Sequence, residues 1–376
     1  MQNIFETIFL LAGVQGLLLS LILFSKKENH NANIILAMAT FALSLHLFTK
    51  IYYTRQLFYQ FPHYIGVTYP FPYLYGPLFF IYTKLVSKQE NKFGSKNFIH
   101  FIPALIIYLI GLPVYLLNGP EKIEFVKRMM VGRESLVFQI IDWIIPFQGI
   151  FYTILTINVV VRYNKRIKDS FSNIEKINLN WLKYLASGAA IIWSIVLIIY
   201  IVSNFIARET GIDLMLQFSM SVLIYSMGYF GLSQPEIFLQ PAGEISDEAE
   251  KIKYKKSGLD DSSSEKIKNN LLDLMNKKKP YLDSDLTLNK LSGMLSVSVH
   301  HLSEVINKKL NQNYYDFINK YRIEEFKARI EDPSFANYSL LSIAFDSGFK
   351  SKTSFNTIFK KMTGKTPSEY KSSFKN

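Results

Sequence analysis

Long apolar runs separated by short polar loops dominate the first 232 residues of the chain. A bilayer core is ~30 Å thick, so a helix that crosses it needs ~20 mostly apolar residues. Seven stretches approach or exceed this length: residues 5–24, 33–51, 71–86, 98–117, 136–161, 184–207 and 214–232. Seven such runs leave too few polar faces to cover them in water. The pattern therefore predicts a seven-helix transmembrane bundle.

Basic residues are divided unequally between the loops that join these runs. The loops after the first, third and fifth runs carry 11: Lys26, Lys27, Lys88, Lys92, Lys96, Arg162, Lys165, Arg166, Lys168, Lys176 and Lys183. The other loops carry six: Arg55, Lys122, Lys127, Arg128, Arg133 and Arg208. Cytoplasmic loops are enriched in Lys and Arg, so the N-terminus is expected outside and the residues after 232 in the cytoplasm. No basic segment precedes the first run, so we expect a retained span and not a cleaved signal peptide.

Residues 233–264 differ from both flanking regions. Prolines and clusters of serine and aspartate predict a cytoplasmic linker there. A basic run within it suits either contact with anionic lipid headgroups or a solvated segment: Lys251, Lys253, Lys255 and Lys256.

From residue 265 onward, apolar residues recur at helical spacing in two similar pairs of short helices. In the first pair, Thr287 and Ser298 can cap the two helices, and the expected buried positions are Leu288, Leu291, Met294, Leu295, Leu302, Val305, Ile306 and Leu310. A longer helix over residues 314–330 leads to the second pair. These elements, with the apolar runs before them, predict an all-α protein.

The second pair repeats the plan of the first. Ser339 and Ser351 are the expected caps, and Gly348 supplies the backbone freedom of a tight turn. The expected core residues of the last long helix stand at helical spacing: Phe355, Ile358 and Phe359. Residues 366–369 read TPSE, which is a capping box with proline at the first helical position.

Polar side chains remain on the outward faces of the second helix in each pair. They carry donors suited to base edges and phosphates, and we select them as candidate DNA-binding residues. In the first pair these are Ser298, His300, His301, Ser303, Glu304, Asn307 and Lys308. In the second pair they are Ser351, Lys352, Thr353, Asn356, Thr357, Lys360 and Lys361.

Charge supports this division of the chain. Residues 1–250 contain 19 Lys and Arg against 16 Asp and Glu, whereas residues 251–376 contain 23 against 14. Most of the net charge of +12 therefore lies in the second part, although hydrophobic residues make up 49% of the chain. A basic domain favours a polyanionic partner, the alternatives being anionic lipid or a solvated cationic surface. The chain has no cysteine, which excludes disulfides and thiolate metal sites.

Residues 265–372 resemble the DNA-binding domain of AraC-type (AraC/XylS family) transcriptional regulators. The resemblance rests on LTLNKLSGMLSVSVHHLSEVINKKL, YRIEEFKARI and SIAFDSGFKSKTSFNTIFKKMTGKTPSEY. The whole chain is similar in organisation to membrane-anchored members of that family. The resemblance implies two helix-turn-helix units on one chain, each presenting its second helix to the major groove, ~34 Å apart on B-DNA.

The sequence departs from the family pattern at two positions. Ser296 stands where the first turn often has glycine, which requires serine to adopt a strained backbone conformation. Thr357 stands where many members have arginine on the second recognition helix, so a phosphate or base contact is in question there.

Asp142 is the ionisable residue that stands out within the apolar runs. Such a group at membrane depth is costly and suggests a functional role, so Asp142 is a candidate signal-sensing residue with His46, Gln139 and Gln148. A position near the outer end of the span, in water or bonded to a neighbouring helix, is the alternative. The aromatic residues in and just before the third run are candidates to line a cavity beside it, the alternative being interfacial anchors: Tyr69, Phe71, Tyr73 and Tyr75. His300 and His301 lack a suitably spaced third ligand, so we expect no metal site.

The pattern favours a membrane-bound transcription factor with no catalytic site, metal or cofactor. Its expected partners are double-stranded promoter DNA and membrane lipid, with a small-molecule or membrane signal, a second copy of the chain and RNA polymerase as further candidates. Two alternatives remain: a membrane enzyme or transporter whose tail controls its synthesis or location, and a receptor whose tail binds protein. The first predicts paired carboxylates or inverted repeats in the spans, and the second predicts no salt-dependent affinity for DNA.

Overall fold

The computed structural model describes residues 2–87, 92–130, 136–203, 211–233 and 259–373. Within these ranges the regular elements are helices, and pairing of β type is confined to one isolated bridge between Phe171 and Thr287. The predicted all-α fold class is confirmed. Most of the linker, with Lys251, Lys253, Lys255 and Lys256, lies outside the described residues, as do Lys88, Arg133 and Arg208.

The N-terminal region is built from eight described α-helices. They are α1 (Gln2–Ser25), α2 (His30–Thr54), α3 (Pro72–Val86), α4 (Ile102–Tyr115), α5 (Gly119–Met130), α6 (Leu136–Lys168), α7 (Asn180–Ser203) and α8 (Gly211–Ser233). Five described segments are long and apolar enough to cross a membrane: Ile4–Ser25, His30–Thr54, Ser95–Tyr115, Leu136–Lys168 and Asn180–Ile198. Helix α3, with 15 residues, is shorter than the ~20 that a bilayer core requires. The number of seven spans stays a prediction.

Helix α5 lies in a segment for which the apolar pattern predicts a loop. Its start is fixed by a reciprocal pair of hydrogen bonds. The Glu121 N–H donates to the Asn118 side-chain oxygen at 3.0 Å, and the Asn118 N–H donates to the Glu121 carboxylate at 3.2 Å. Lys127 and Arg128 complete the arrangement in the last turn, where cations are favoured. The apolar content is too low for a predicted span, but the Asn-x-x-Glu spacing is a detectable helix start.

Close helix packing organises the start of the chain. A Cβ atom on Gly16 of α1 would lie 2.1 Å from the Ser44 hydroxyl of α2 and 3.0 Å from Ile224 of α8. Only glycine therefore permits this approach of three helices, as in packed membrane helices. The Ser44 hydroxyl is buried and donates to the Thr40 carbonyl at 2.7 Å, so the interface has no unsatisfied hydroxyl at this position. The outward face of α1 remains apolar, with Leu18 58% and Leu21 66% exposed.

The chain divides into two compact units. One contains the described residues of Met1–Arg162 and Leu179–Gly243, and the other contains those of Tyr163–Asn178 and Glu244–Asn376. The end of α6 and the loop that follows it thus fold with the C-terminal helices.

The C-terminal unit contains seven α-helices in its described residues from 259 onward. They are α9 (Asp261–Lys278), α10 (Leu288–Leu295), α11 (Val299–Lys309), α12 (Tyr314–Glu331), α13 (Leu340–Asp346), α14 (Lys352–Thr363) and α15 (Pro367–Ser372). One hydrophobic core joins α9, α10, α11 and the start of α12, and a second joins the rest of α12 to α13 and α14. Helix α12 contributes to both cores and connects the two helix pairs.

Candidate DNA-binding surface and a polar cavity among the N-terminal helices

Two hydroxyl caps set the ends of the first helix pair. The Thr287 hydroxyl accepts the Lys290 N–H at 3.2 Å, and the Ser298 hydroxyl accepts the His301 N–H at 3.1 Å. These bonds satisfy donors that a helix start leaves open, so α10 and α11 begin at the predicted residues. Met294 departs from the prediction, being 53% exposed. At 100° per residue it lies well off the stripe that its predicted companions share, which explains the exposure.

The second pair is capped in the same way. The Ser339 and Ser351 hydroxyls accept the N–H groups of Ser342 and Ser354 at 3.0 and 3.1 Å. The capping box is present at α15, where the Thr366 N–H donates to the Glu369 carboxylate at 2.7 Å. The predicted core residues of α14 are buried: Phe355, Ile358 and Phe359.

Two left-handed backbone positions make the turns of these pairs. Ser296 has φ of 54°, so it adopts the conformation that the sequence departure required. Gly348 has φ of 93°, and a Cβ atom there would lie 2.2 Å from the Tyr281 carbonyl oxygen. Gly348 is therefore demanded both by its backbone conformation and by the close approach of another chain segment.

The core packing of α14 leaves a continuous polar row on its other side. All six selected residues within the helix are exposed: Lys352, Thr353, Asn356, Thr357, Lys360 and Lys361. Lys361 forms an ion pair of 2.9 Å with Asp316, while the helix start at Ser351 is half-buried. The row therefore offers hydroxyl, amide and ammonium donors from one helix face.

On α11 the selected residues are less uniform. Ser298 and Lys308 are exposed, and four others are half-buried: His300, His301, Ser303 and Asn307. The Glu304 side chain is only 8% exposed and pairs with the Lys308 ammonium at 2.6 Å. Glu304 is therefore poorly placed to reach a base edge. The spacing of apolar residues in α11 identifies the helix face that packs in the hydrophobic core. It does not reveal the further tertiary contacts that bury Glu304.

Arg322 of α12 is a buried cation that is not among the residues predicted from the sequence. It is 1% exposed, and its guanidinium donates at 2.8 Å to the carbonyls of both Tyr281 and Asp283. Burial lowers the pKa of Arg322 to about 10. Arg322 lies four residues from both Ile318 and Phe326, so it falls on the buried face of α12. This spacing is the sequence signal that indicates its burial.

A cavity of about 520 Å³ among the N-terminal helices brings His46 and Asp142 together. The Tyr69 hydroxyl donates to the Asp142 carboxylate at 2.9 Å, and the His46 ring contacts the Tyr75 hydroxyl at 2.5 Å. Lys50, which the sequence analysis passed over, also lines the cavity. Asp142 is thus hydrogen-bonded to the turn that precedes α3, and Tyr69 lines the cavity.

Gln139 and Gln148 lie outside the lining of this cavity. Gln139 is exposed, and the Gln148 amide donates to the Tyr73 carbonyl at 3.1 Å. Among the described residues, no group of three or more His, Asp or Glu side chains could hold a metal ion.

Comparison with known proteins covers the C-terminal helices. Residues 291–373 match the family described as "Helix-turn-helix domain". Two proteins of Staphylococcus aureus, from strains COL and MSSA476, are each named an uncharacterised HTH-type transcriptional regulator and are 33% identical over 91 residues. The matched segment covers 24% of this chain and 12% of the length of each relative. No solved structure matches the chain.

The C-terminal region is an AraC-type helix-turn-helix domain. The match to the AraC-type domain begins within α10 and includes both turns, at Ser296 and Gly348. Thr357, the second departure from the family pattern, is exposed on α14 of this domain. At ~100° per residue, an arginine at this position would face the same side as Lys360 and Lys361.

Proposed function

We propose that this protein is a membrane-bound, sequence-specific DNA-binding regulator of transcription with no enzymatic activity. The observation that carries the proposal is the polar face of α14, exposed along the helix while the opposite face is packed in the core. A second capped helix, α11, presents polar groups from the other helix pair. Both helices belong to a chain whose N-terminal part contains long apolar helices.

The two recognition helices are proposed to occupy successive major grooves of promoter DNA. Thr353 and Asn356 carry groups that hydrogen-bond to base edges, and Lys352 and Lys360 carry charges that neutralise phosphates. His300, His301, Ser303, Asn307 and Lys308 of α11 are proposed to contact the second groove, with Ser298 and Ser351 at the helix starts. We leave Glu304 out of this set because its carboxylate is buried and paired with Lys308.

Support for a membrane location comes from the outward faces of the long helices. Apolar side chains are exposed there, for example Leu105 of α4 at 58% and Ile191 of α7 at 63%. Contiguous apolar surface of this kind is unfavourable in water and suits lipid. With the distribution of Lys and Arg, it supports a multi-pass protein of the inner membrane whose AraC-type domain is cytoplasmic.

The cavity that contains His46 and Asp142 is the proposed site of signal reception. Its volume lies within the range of small-molecule sites, and its lining combines aromatic rings with a few polar groups. The ligand class that fits is a small molecule with an apolar body and a hydrogen-bonding or charged group. In cells, Asp142→Asn should alter DNA occupancy under the inducing condition, and unchanged occupancy and output would remove Asp142 from the site.

Genome-wide mapping of DNA crosslinked to the intact protein tests the regulatory function. We expect discrete sites for the natural protein and their loss in the double variant Lys352→Ala, Asn356→Ala. Asn337→Ala changes an exposed residue outside the recognition helices and serves as the matched control. Absence of enriched sites for the natural protein would contradict the proposal, as would their persistence in the double variant.

A further inference from the structure

The loop between α6 and α7, residues 169–178, folds against the AraC-type domain as part of the same compact unit. We call this segment the docking loop. Neither its composition nor its spacing set it apart in the sequence. Its contacts with the domain fall into three groups, each involving a defined feature of the domain.

The first contact holds Ser172 at the buried centre of the domain. Arg322 donates to the Ser172 hydroxyl at 3.1 Å, and Asn319 donates to the Ser172 carbonyl at 3.1 Å. The Ser172 hydroxyl in turn donates to the Leu286 carbonyl at 2.7 Å. Ser172 is 2% exposed, so the loop is inserted into the domain surface and not merely laid on it.

The second contact closes the start of α10, the first helix of the first pair. The Leu288 N–H donates to the Ser170 carbonyl at 3.0 Å, and Phe171 pairs with Thr287 in an antiparallel bridge. Leu288 is the first residue of α10, where helix geometry leaves the N–H groups without internal partners. In helix-turn-helix proteins the first helix crosses the DNA backbone, and helix N-termini are common phosphate ligands.

The third contact occupies the start of α14, the second recognition helix. The Ser351 hydroxyl donates to the Glu175 carboxylate. An anion is stabilised at a helix N-terminus by the backbone dipoles, which is the reason that phosphates bind there. Lys168, immediately before the docking loop, lies over the Tyr315 ring at 5.9 Å.

We propose that the docking loop is an intramolecular inhibitor of DNA binding, which occupies two helix starts that a duplex needs for its phosphates. The inference rests on the proposed DNA-binding function and adds its mode of regulation. A carbonyl at α10 and a carboxylate at α14 take the places of two phosphate groups. The AraC-type domain exchanges the docking loop for DNA, and a signal acts by shifting this balance.

The domain can release the loop without leaving a buried charge unsatisfied. Arg322 retains its bonds to the Tyr281 and Asp283 carbonyls, which do not involve the loop. Its remaining donors become accessible to water once Ser172 departs. Helix α6, which contains Asp142 of the proposed signal site, ends at Lys168 directly before the loop. The loop is therefore covalently continuous with a helix that a ligand in the cavity would touch.

A disulfide between Phe171→Cys and Thr287→Cys tests the inhibition directly. The two residues form a non-hydrogen-bonded antiparallel pair, whose Cα atoms are ~4.5 Å apart, within the range that a disulfide spans. The chain has no other cysteine, so only the designed bond forms within one molecule. The variant would be prepared as the full chain in lipid nanodiscs. Its binding partner would be a labelled duplex enriched from a random library by the natural protein.

The oxidised variant is expected to bind the duplex at least about tenfold more weakly than the reduced variant, because two charge-assisted contacts are blocked. Reduction should restore binding. Thr287→Cys alone, treated with the same oxidant, controls for loss of the α10 cap. Equal affinity of the oxidised and reduced forms for the duplex would contradict inhibition by the docking loop. Failure of the disulfide to form in the absence of DNA would contradict the docking of the loop on the domain. If the natural protein binds no duplex from the library, the proposed function itself fails.

Glu175→Gln supplies a second, independent variant. It removes the anion from the start of α14 and should strengthen binding of the same duplex several-fold. Removing any acidic residue makes a protein more basic, so Glu331→Gln is the matched control: Glu331 is exposed at the end of α12. Equal effects of the two substitutions would show that only net charge matters and would contradict a role for Glu175 in the inhibition.

Discussion

At the residue scale, hydroxyl and carboxylate caps determine where the helices of the AraC-type domain begin. Thr287, Ser298, Ser339 and Ser351 each accept the N–H three residues later in the chain. All four were predicted from sequence because capping is a local interaction with a short, fixed spacing. The burial of Arg322 was not predicted, because the carbonyl groups that it hydrogen-bonds lie 39 and 41 residues away in the chain.

Ser296 tests the cost of a strained turn. Substitution Ser296→Gly should stabilise the C-terminal domain by about 0.5–1 kcal/mol, because glycine accepts the left-handed conformation without the steric penalty of a Cβ atom. Part of that gain is offset by the greater freedom of glycine in the unfolded chain. Urea unfolding of residues 259–376 would measure the change. A lower midpoint for the variant would contradict this account of the turn.

Glu325 makes the domain sensitive to acid. Burial alone would raise the pKa of Glu325, but hydrogen bonds from Lys279, Arg329 and Tyr281 outweigh it and hold the pKa below its usual value. A carboxyl with a lowered pKa contributes stability above its unfolded pKa of ~4.3, and this contribution is lost as the pH falls through the folded value. Between pH 5 and pH 3, Glu325→Gln should therefore lose less stability than the natural domain.

The matched control for this substitution is Glu324→Gln. Glu324 lies next to Glu325 on α12, but its side chain is 60% exposed and forms an ion pair of 2.9 Å with Lys327. Its removal should leave the pH dependence of urea unfolding nearly unchanged. If both variants flattened the pH profile equally, Glu325 would have no special part in the acid sensitivity.

At the scale of single elements, helices that follow long apolar runs agree with the sequence, whereas contacts between distant segments could not be read from it. Helices α1, α2 and α6 cover predicted apolar runs, and α7 covers the described part of another, residues 184–203, because length and hydrophobicity are properties of the segment itself. Helix α5 was missed because its signal is a cap at Asn118 and not an apolar run. The docking loop could not be predicted, since Ser172 and Glu175 are ordinary loop residues until they meet the domain.

The recognition helix α14 should respond to a change at Thr357. Substitution Thr357→Arg adds a cation to the exposed row that contains Lys352 and Lys360. We expect tighter DNA binding. We also expect the slope of log affinity against log salt concentration to steepen by ~0.9, which corresponds to one further phosphate contact. Asn337→Arg adds the same charge outside the recognition helices. An unchanged slope for Thr357→Arg would place residue 357 away from the DNA backbone.

At the scale of the whole molecule, two kinds of sequence belong to one chain, and we propose a different environment for each. The apolar helices suit lipid, and the basic AraC-type domain suits a polyanion. This organisation could be read from composition because each half has a distinct balance of apolar and charged residues. The cavity beside Asp142 could be anticipated only in part, since its volume depends on how several helices pack.

Single-cysteine labelling would establish the membrane orientation. Lys27→Cys and Gln60→Cys place one reactive thiol in each of two loops, on a chain that has no natural cysteine. A membrane-impermeant maleimide should label Gln60→Cys in intact spheroplasts and Lys27→Cys only after permeabilisation. The reverse pattern would put the AraC-type domain on the wrong side of the membrane for chromosomal DNA.

Helix α6 has a length that matters for the proposed exchange of loop and DNA. Its 33 residues correspond to about 50 Å, which exceeds a bilayer core by about 20 Å. In the proposed mechanism, a small rocking motion of this helix at one end becomes a displacement at its other end. Ten degrees of rocking over the excess length would move the tip by roughly 3–4 Å, more than a hydrogen bond can stretch. A displacement of this size would break the hydrogen bonds of Ser172 without a large rearrangement of the N-terminal helices.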